Sequence, residues 1–338
     1  MAEVDLSALA ERVTTAAQAW CSGVQVGALE PLAGGNVGLV YSAAATGGPA
    51  EHPRLVLKVA PPGLAPVRNR DMLRQGRLMR ALHERPGVRV PALLFDDAGD
   101  PPETPPFIAM SFIEGECYEP ILDAPTSPRP HDDIRSRAMD AAQVLVALHA
   151  LAPGAIGLGE DAVTTLTDEV ERWTRSLETV DDELRVGFRE CRDALLASKP
   201  DELEPVVVHG DYRLGNTLSK DGAVNAVIDW EIWTLSDPRV DLAWFLFFAD
   251  QPHHPIASAP PGSSGQPTIP ELLAEYERLS GRHVDQLDWF HALTRYKEAG
   301  ATALIVKHMR RRPDPSPMID HMAQVCPQLI ADAAAIVG

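Results

Sequence analysis

The residues most able to do chemistry lie in the middle of the chain, where each group follows an apolar run. The run 206–208 leads directly into His209 and Asp211, and Asn216 comes five residues after Asp211. Thirteen residues further on, a second apolar run ends at Asp229. Polar groups at strand ends lie on loops, where catalytic side chains collect. The pattern therefore predicts that these residues belong to one site.

The residue types in this pattern suit phosphoryl transfer with a metal ion. An amide oxygen of Asn216 and the carboxylate of Asp229 suit Mg²⁺, which binds one or two carboxylates and otherwise keeps water and phosphates. Asp211 is then left to orient and deprotonate an attacking hydroxyl. Alternatively, these residues are turn residues that cap buried strands. The order and spacing of the two pieces together favour the site.

Three segments together resemble the aminoglycoside phosphotransferase and choline kinase superfamily, whose members share the fold of protein kinases. They are His-Gly-Asp-Tyr-Arg-Leu-Gly-Asn at 209–216, Ile-Asp-Trp-Glu at 228–231 and Asp-Pro-Arg-Val-Asp-Leu-Ala at 237–243. The resemblance covers most of the chain. In the third segment, Asp241 is similar to the buried carboxylate that braces the catalytic loop through its backbone.

The resemblance implies a role for each residue of the central pattern. Asp211 is expected to be the catalytic base, with His209 and Arg213 as further catalytic-loop residues, and His209 is expected to orient the loop by hydrogen bonding. Asn216 and Asp229 are expected to hold Mg²⁺. The implied reaction is transfer of a phosphoryl group from ATP, or from GTP, to a hydroxyl of a small substrate.

The resemblance also implies an α+β fold with two lobes, like that of protein kinases. Residues 1–113 are expected to form a nucleotide-binding lobe with an antiparallel sheet and a helix. Residues 114–338 are expected to form the mainly helical lobe that carries catalysis and substrate binding. The sequence agrees, because strand-like runs such as 55–59 dominate the first third and helical spacing dominates after Gly115.

The first third offers groups for the nucleotide phosphates. Lys58 lies inside an apolar run, where an unpaired charge is uncommon, and a kinase-like lobe needs a strand lysine for the α- and β-phosphates. An edge-strand lysine facing water is the alternative. The turn with Gly34, Gly35 and Asn36 has glycines whose backbone can approach phosphates closely, although a Gly-Gly hairpin needs no ligand.

The segment 110–115 resembles the hinge between the lobes. Its backbone, at Ser111 and Ile113, is expected to hydrogen-bond the nucleobase. An ordinary strand end would look the same in sequence.

One departure from the family pattern concerns the helix that follows the strand lysine. Gln75 stands where a glutamate usually pairs with that lysine, here Lys58. A neutral amide can still donate a hydrogen bond, but it forms no ion pair. Glu84, at the end of the helix, is a substitute candidate. The departure therefore means a weakened site or a partner elsewhere.

Bulk properties limit the partners. A formal net charge of −18 argues against nucleic acid, whose binding depends on Lys and Arg, and it permits a cationic substrate or simply supports solubility. No apolar run reaches the length of a membrane helix, the N-terminus lacks a signal core, and the four cysteines form no CxxC pair. We therefore expect a cytoplasmic protein without a membrane partner; the oligomeric state is left open.

The sequence favours a small-molecule kinase over two alternatives. The first is a catalytically weak, nucleotide-binding regulatory protein on the same fold, supported by Gln75 alone. The second is a metal-dependent phosphoesterase, which needs further ligands that the chain does not present at useful spacing. The acceptor is expected to bind in the helical part, including 251–310. Acids and aromatics available to hold it, or to serve as core and surface residues, are Tyr118, Glu231, Asp250, Trp289, Tyr296 and Glu298.

Overall fold

The computed structural model describes residues 4–32, 39–123, 131–250, 254–255, 265–312 and 318–338. The expected phosphate turn, Gly34, Gly35 and Asn36, lies outside these residues. The helices are α1 (Leu6–Trp20), α2 (Met72–Leu82), α3 (His131–His149), α4 (Leu166–Leu177), α5 (Phe188–Ala197), α6 (Arg239–Phe247), α7 (Ile269–Ser280), α8 (Leu287–Met309) and α9 (Met318–Val337). The strands are β1 (Gln25–Val26), β2 (Glu30–Pro31), β3 (Leu39–Thr46), β4 (Arg54–Val59), β5 (Leu93–Asp97), β6 (Phe107–Ser111), β7 (Val206–Val208), β8 (Thr217–Lys220), β9 (Ala223–Val227) and β10 (Thr234–Ser236).

The first lobe is built on an antiparallel sheet with the order β1-β3-β4-β6-β5, and β2 pairs with β3. The strand β4 is central, and Lys58 on it lies opposite Val40 of β3 and Ile108 of β6. The edge-strand interpretation of Lys58 is therefore wrong, because hydrogen-bonded neighbours cover both sides of its strand.

Two helices complete this lobe. Helix α1 begins after Asp5, whose carboxylate accepts the N–H groups of Ser7 and Ala8, as an N-cap residue does. Helix α2 packs closely against the sheet at Gly76, where an added Cβ would come within 3.0 Å of a methyl group of Ile108. The antiparallel sheet and its helices confirm the fold expected for this lobe.

The second lobe is mainly helical, as the sequence indicates. Helix α8 runs through its interior beside α9, and the buried side chains of α8 include Phe290 and Tyr296. This lobe also contains two small antiparallel sheets, β7 with β10 and β8 with β9. They are the part of this lobe that positions the polar residues of the central pattern. Among the described residues, none of the helices is long and apolar enough to cross a membrane.

The sequence did not predict two of the helices. Every residue of α6 is buried, so its run is apolar all round and shows no helical period. Helix α9 contains Pro327, which reads as a helix breaker in sequence. Helix α5 begins after Gly187, whose φ of +78° separates it from the residues before it. The small residues 43–46 form the end of β3.

Candidate active site

The loop after β7 is held by one buried carboxylate. Asp241, in the first turn of α6, is fully buried and accepts the backbone N–H groups of His209 at 2.6 Å and Gly210 at 2.8 Å. Gly210 has φ +87°, and an added Cβ would lie 2.9 Å from the carbonyl oxygen of Ile232. The path of this loop therefore requires glycine at position 210.

His209 links this loop to the end of β9. Its Nδ1 accepts the backbone N–H of Asp211 at 3.1 Å, so its Nε2 carries the proton and donates to the carbonyl oxygen of Ile228 at 2.9 Å. Both ring nitrogens are thus engaged by backbone groups. His209 orients the two loops relative to each other and has no nitrogen left to exchange a proton with a substrate.

Asp211 is held on both carboxylate oxygens. Its Oδ2 accepts the amide N–H of Asn216 at 2.7 Å. Its Oδ1 accepts the indole N–H of Trp244 at 2.7 Å and the Nε–H of Arg213 at 3.2 Å. The Asp211 side chain is nevertheless 29% exposed. The carboxylate is therefore fixed in direction and still accessible to a small molecule.

Lys58 reaches across from the sheet lobe to the other half of the site. Its Nζ lies 2.7 Å from a carboxylate oxygen of Asp229 and 3.5 Å from one of Glu231. Burial, with the charge of Asp229 added, raises the pKa of Glu231 to about 7. Gln75 is buried and donates to the carbonyl oxygen of Asn69 at 3.2 Å. The acidic partners of Lys58 thus come from the second lobe rather than from α2.

Glu84, the candidate substitute for Gln75, has no described contact with Lys58. Glu84 lies beyond the end of α2, is exposed and has φ +63°. Its position places it at the surface after the helix, whereas Lys58 is 8% exposed and faces Asp229. The lysine therefore has a partner elsewhere, which was one of the two outcomes that the sequence left open.

Asn216 and Asp229 lie next to each other through their backbones. The N–H of Ile228 donates to the carbonyl oxygen of Asn216 at 2.9 Å. Because the amide nitrogen of Asn216 is turned towards Asp211, its amide oxygen faces away from that carboxylate. Asp229 has φ +65°, and its side chain is 37% exposed. An amide oxygen and an exposed carboxylate form a donor set that fits Mg²⁺.

No group of three or more His, Cys, Asp or Glu side chains within the described part of the chain could hold a metal ion by itself.

Sequence reasoning missed three residues beside the loop. Glu119 is buried and accepts the N–H of Gly215 at 3.0 Å and a guanidinium N–H of Arg213 at 3.4 Å. Burial raises the pKa of Glu119 to about 7. Trp244 contacts Asp211, as described above, and Lys297 donates to the loop backbone. A lysine within the apolar face of a long helix was the only sequence signal that could have drawn attention.

Two of the aromatic residues that were available for acceptor binding have structural roles. The indole N–H of Trp289 donates to the carbonyl oxygen of Leu195 at 2.9 Å, and the hydroxyl of Tyr296 lies 2.9 Å from that of Thr174. Both aromatic rings are buried in the helical core. They belong to the core alternative that the sequence allowed.

The hinge residues lie at the end of β6. The backbone N–H of Ser111 donates to the carbonyl oxygen of Ala92 at 2.9 Å, and its hydroxyl oxygen accepts the N–H of Ala92 at 2.9 Å. Ile113 lies two residues beyond the strand and is half-buried. The N–H of Ser111 is therefore committed to the protein, and a nucleobase contact at this residue would have to use its carbonyl oxygen.

Glu298 supplies a test of stability against pH. Burial, with the charge of Asp211 added, raises its pKa from 4.5 to about 7, and Thr302 donates to it at 3.0 Å. The folded state therefore binds this proton more tightly, and stability is lost as pH rises from about 4.5 to 7. Replacement by glutamine keeps the acceptor for Thr302 and removes the loss. We expect the free energy of unfolding of Glu298→Gln, relative to that of wild type, to increase by about 2–3 kcal/mol as the pH rises from 4.5 to 8.

The measurement is urea unfolding of both proteins across that pH range, with Glu190→Gln as the control. Glu190 is an exposed glutamate of α5, so its replacement should leave the curve parallel to that of wild type. Parallel curves for wild type and Glu298→Gln would contradict the assigned burial of a titrating carboxyl.

A sheet-rich lobe that presents a lysine and a helical lobe that presents an Asp-Asn-Asp set define a phosphotransferase of the protein-kinase-like class. The chain belongs to the phosphotransferase enzyme family, whose model matches residues 28–290. Relatives include human acyl-CoA dehydrogenase family member 11, 26% identical over 254 residues, which are 72% of this chain and 32% of that protein. The probable acyl-CoA dehydrogenase IBR3 of Arabidopsis thaliana is 27% identical over 257 residues, 70% of this chain and 31% of its own. The chain thus spans about a third of the length of the curated relatives it matches.

Solved structures of similar fold include aminoglycoside phosphotransferases. One is a Ralstonia eutropha protein assigned to this class, which has a TM-score of 0.73 and 21% sequence identity. The match covers 99% of this chain and 98% of that protein. The GDP complex of aminoglycoside 2'-phosphotransferase-IIIa has a TM-score of 0.60 at 14% identity, covering 96% and 98%. The complex of aminoglycoside phosphotransferase APH(4)-Ia with ADP and hygromycin B has a TM-score of 0.62 and 15% sequence identity. That match covers 97% of this chain and 98% of that protein. At these identities the likeness shows the fold.

Proposed function

We propose that this phosphotransferase moves the γ-phosphoryl group of ATP or GTP to a hydroxyl of a small substrate. The observation that carries the proposal is the 2.7 Å contact between Lys58 of the sheet lobe and Asp229 of the helical lobe. It brings a cation suited to nucleotide phosphates next to a carboxylate suited to a metal ion. Asp211 is the accessible base in the same cleft.

In this proposal Asp211 accepts the proton of the acceptor hydroxyl while that oxygen attacks the γ-phosphorus and the bond to the nucleoside diphosphate breaks. Asn216 keeps the carboxylate in one direction, so that it faces the hydroxyl. Arg213, beside Asp211, offsets charge on the transferred group. Lys58 exchanges Asp229 for the α- and β-phosphates of the bound nucleotide. Such catalysis consists mostly of positioning and charge neutralisation.

Asn216 and Asp229 are the residues that would hold Mg²⁺. When bound, the ion neutralises phosphate charge and fixes the phosphate chain relative to the protein. The fit rests on the chemistry of the donors, one amide oxygen and one exposed carboxylate, and on the backbone contact that keeps them together.

The acceptor is proposed to bind in a cavity beside α6. The cavity has a volume of about 330 Å³ and is lined by Phe247, Pro255, Arg295, Leu329, Asp332, Ala335 and Ile336. The ring of Phe247 lies 6.3 Å from that of Trp244, the indole that contacts Asp211. Arg295 and Asp332 give the wall one cationic and one anionic group. An acceptor with a hydroxyl and a charged group of either sign therefore fits this wall.

The names of related proteins suggest what to include in a substrate screen. The solved structures of similar fold suggest aminoglycosides such as hygromycin B, and also macrolides. The longer relatives named acyl-CoA dehydrogenase family members suggest acyl-CoA thioesters, of which those with a hydroxyl could be acceptors. Sugars, amino alcohols and hydroxy acids extend the panel to neutral, cationic and anionic acceptors.

The experiment is a screen of these compounds for production of ADP or GDP that depends on both Mg²⁺ and the acceptor. Acceptor-dependent turnover supports the kinase. Nucleotide binding without turnover for any compound favours the regulatory alternative, for which the neutral Gln75 is the specific observation. Release of inorganic phosphate from an ester without nucleotide consumption would instead identify a phosphoesterase.

A further inference from the structure

Lys297 is a buried cation that the proposed reaction does not use. It lies on α8, is 5% exposed, and its Nζ donates to the carbonyl oxygen of Gly210. Burial lowers its pKa. Among the described residues no carboxylate forms an ion pair with it. The charges of Glu169, Asp211 and Asp241 favour the charged form from a longer distance. Burying an ammonium group is costly, so its hydrogen bond to the loop that carries Asp211 needs an explanation.

Two indole rings surround this ammonium group. Its Nζ lies 3.8 Å from the centre of the Trp244 ring and 5.9 Å from that of the Trp173 ring. A cation at the first distance is attracted by the negative face of the ring. The same attraction draws electron density towards the cation and makes the indole N–H a stronger donor, as neighbouring hydrogen bonds polarise one another.

The two tryptophans differ in what their N–H groups contact. The N–H of Trp244 donates to Oδ1 of Asp211 at 2.7 Å, whereas the N–H of Trp173 donates to Glu169 at 3.1 Å. Lys297 is therefore connected to the Asp211 carboxylate through Trp244 and to the Asp211 backbone through Gly210. Both connections end on the same residue.

We propose that Lys297 and Trp244 are positioning residues that hold Asp211 for the reaction, Lys297 through the Gly210 carbonyl and Trp244 through the carboxylate itself. This proposal rests on the proposed function of Asp211. It explains why an ammonium group lies beneath the loop: the carbonyl of Gly210 points into the protein, where a strong donor is needed to keep a left-handed residue in place.

The test compares three single variants that preserve bulk. Trp244→Phe removes the donor to Asp211 and keeps an aromatic ring over Lys297. Trp173→Phe makes the same change in the other indole and is the matched control. Lys297→Met removes the charge and retains a long side chain. Circular dichroism and thermal unfolding establish whether each variant is folded. If Lys297→Met does not fold, Trp244→Phe still tests the proposal.

The first readout needs no acceptor. The protein has six tryptophans and therefore six indole N–H signals in the NMR spectrum of ¹⁵N-labelled protein. The signal that is lost in Trp244→Phe is that of Trp244. We expect this signal to shift in Asp211→Ala and in Lys297→Met, and the Trp173 signal to stay in place in Asp211→Ala. A Trp244 signal unchanged by the loss of Asp211 overturns the proposal, because the hydrogen bond would then be absent in solution.

The second readout is turnover of Mg²⁺–ATP, with the best acceptor from the screen or with water. Trp244→Phe and Lys297→Met are expected to lower kcat about ten- to hundredfold with little change in the KM for ATP, since misplacing a catalytic group costs rate rather than binding. Trp173→Phe is expected to stay near wild type. Equal losses in the two phenylalanine variants would overturn the positioning role. Absence of turnover in wild type would instead count against the proposed function, while the indole signals still test the contact.

Discussion

Replacement of Asp211 by alanine is expected to lower the acceptor-dependent turnover by about two to four decades, the contribution of a positioned general base. The structure gives the reason, since its carboxylate is oriented by three donors and is still partly exposed. The loss should fall on kcat, because Asp211 contacts the hydroxyl and not the nucleotide in the proposed complex. The measurement is steady-state formation of ADP at saturating ATP and Mg²⁺.

The matched control for this prediction is Asp193→Ala. Asp193 is a surface carboxylate of α5, with its side chain 69% exposed, so its loss should leave turnover within about twofold of wild type, as for most surface substitutions. Unchanged ATP affinity in Asp211→Ala, measured by calorimetry, would show that the nucleotide site is intact. A folded, purified Asp211→Ala protein with full activity would refute the assignment of the base.

Loss of Asp229 is expected to reduce turnover more than loss of Lys58. The metal that Asp229 would hold offsets more charge at close range than one ammonium group does, so Asp229→Ala should cost about three decades or more and Lys58→Met about one to two. The two losses should also differ in kind. Asp229→Ala should raise the Mg²⁺ concentration needed for half-maximal turnover, whereas Lys58→Met should mainly raise the KM for ATP.

Titrations of turnover against Mg²⁺ and against ATP separate these effects. Glu231→Gln is an informative companion, because Glu231 lies 3.5 Å from Lys58 and leaves the Asp229 contact in place when neutralised. Its turnover should lie closer to wild type than that of Asp229→Ala. An Asp229→Ala protein with an unchanged Mg²⁺ requirement would contradict the ligand assignment, even if its turnover were low.

Much of the fold could be predicted because it depends on local patterns. Helix α1 shows helical spacing and β4 is a short apolar run between breakers, so each could be located from neighbours in sequence. Helix α6 could not, because a helix buried on all sides has no polar face to give it a period. Helix α9 was hidden by Pro327, since tertiary packing overrides the local cost of a proline.

The candidate site was predictable where chain order alone carries the chemistry. His209, Asp211 and Asn216 lie within one loop, and Asp229 follows the next strand pair, so their types and spacing indicate a phosphoryl-transfer site. The partner of Lys58 was not predictable. That partner, Asp229, lies 171 positions away from Lys58 in sequence. The local candidate, Gln75, donates to a backbone carbonyl instead.

The sequence by itself determined the family, the two-lobed architecture and the identity of the central polar residues, because these depend on residue type and on separations along the chain. Only the tertiary structure decided which groups hold those residues in place. Trp244, Glu119 and Lys297 lie far from Asp211 in sequence, and each looks like an ordinary member of its own helix or loop. Their roles arise from direction and distance in the folded chain, which no spacing rule records.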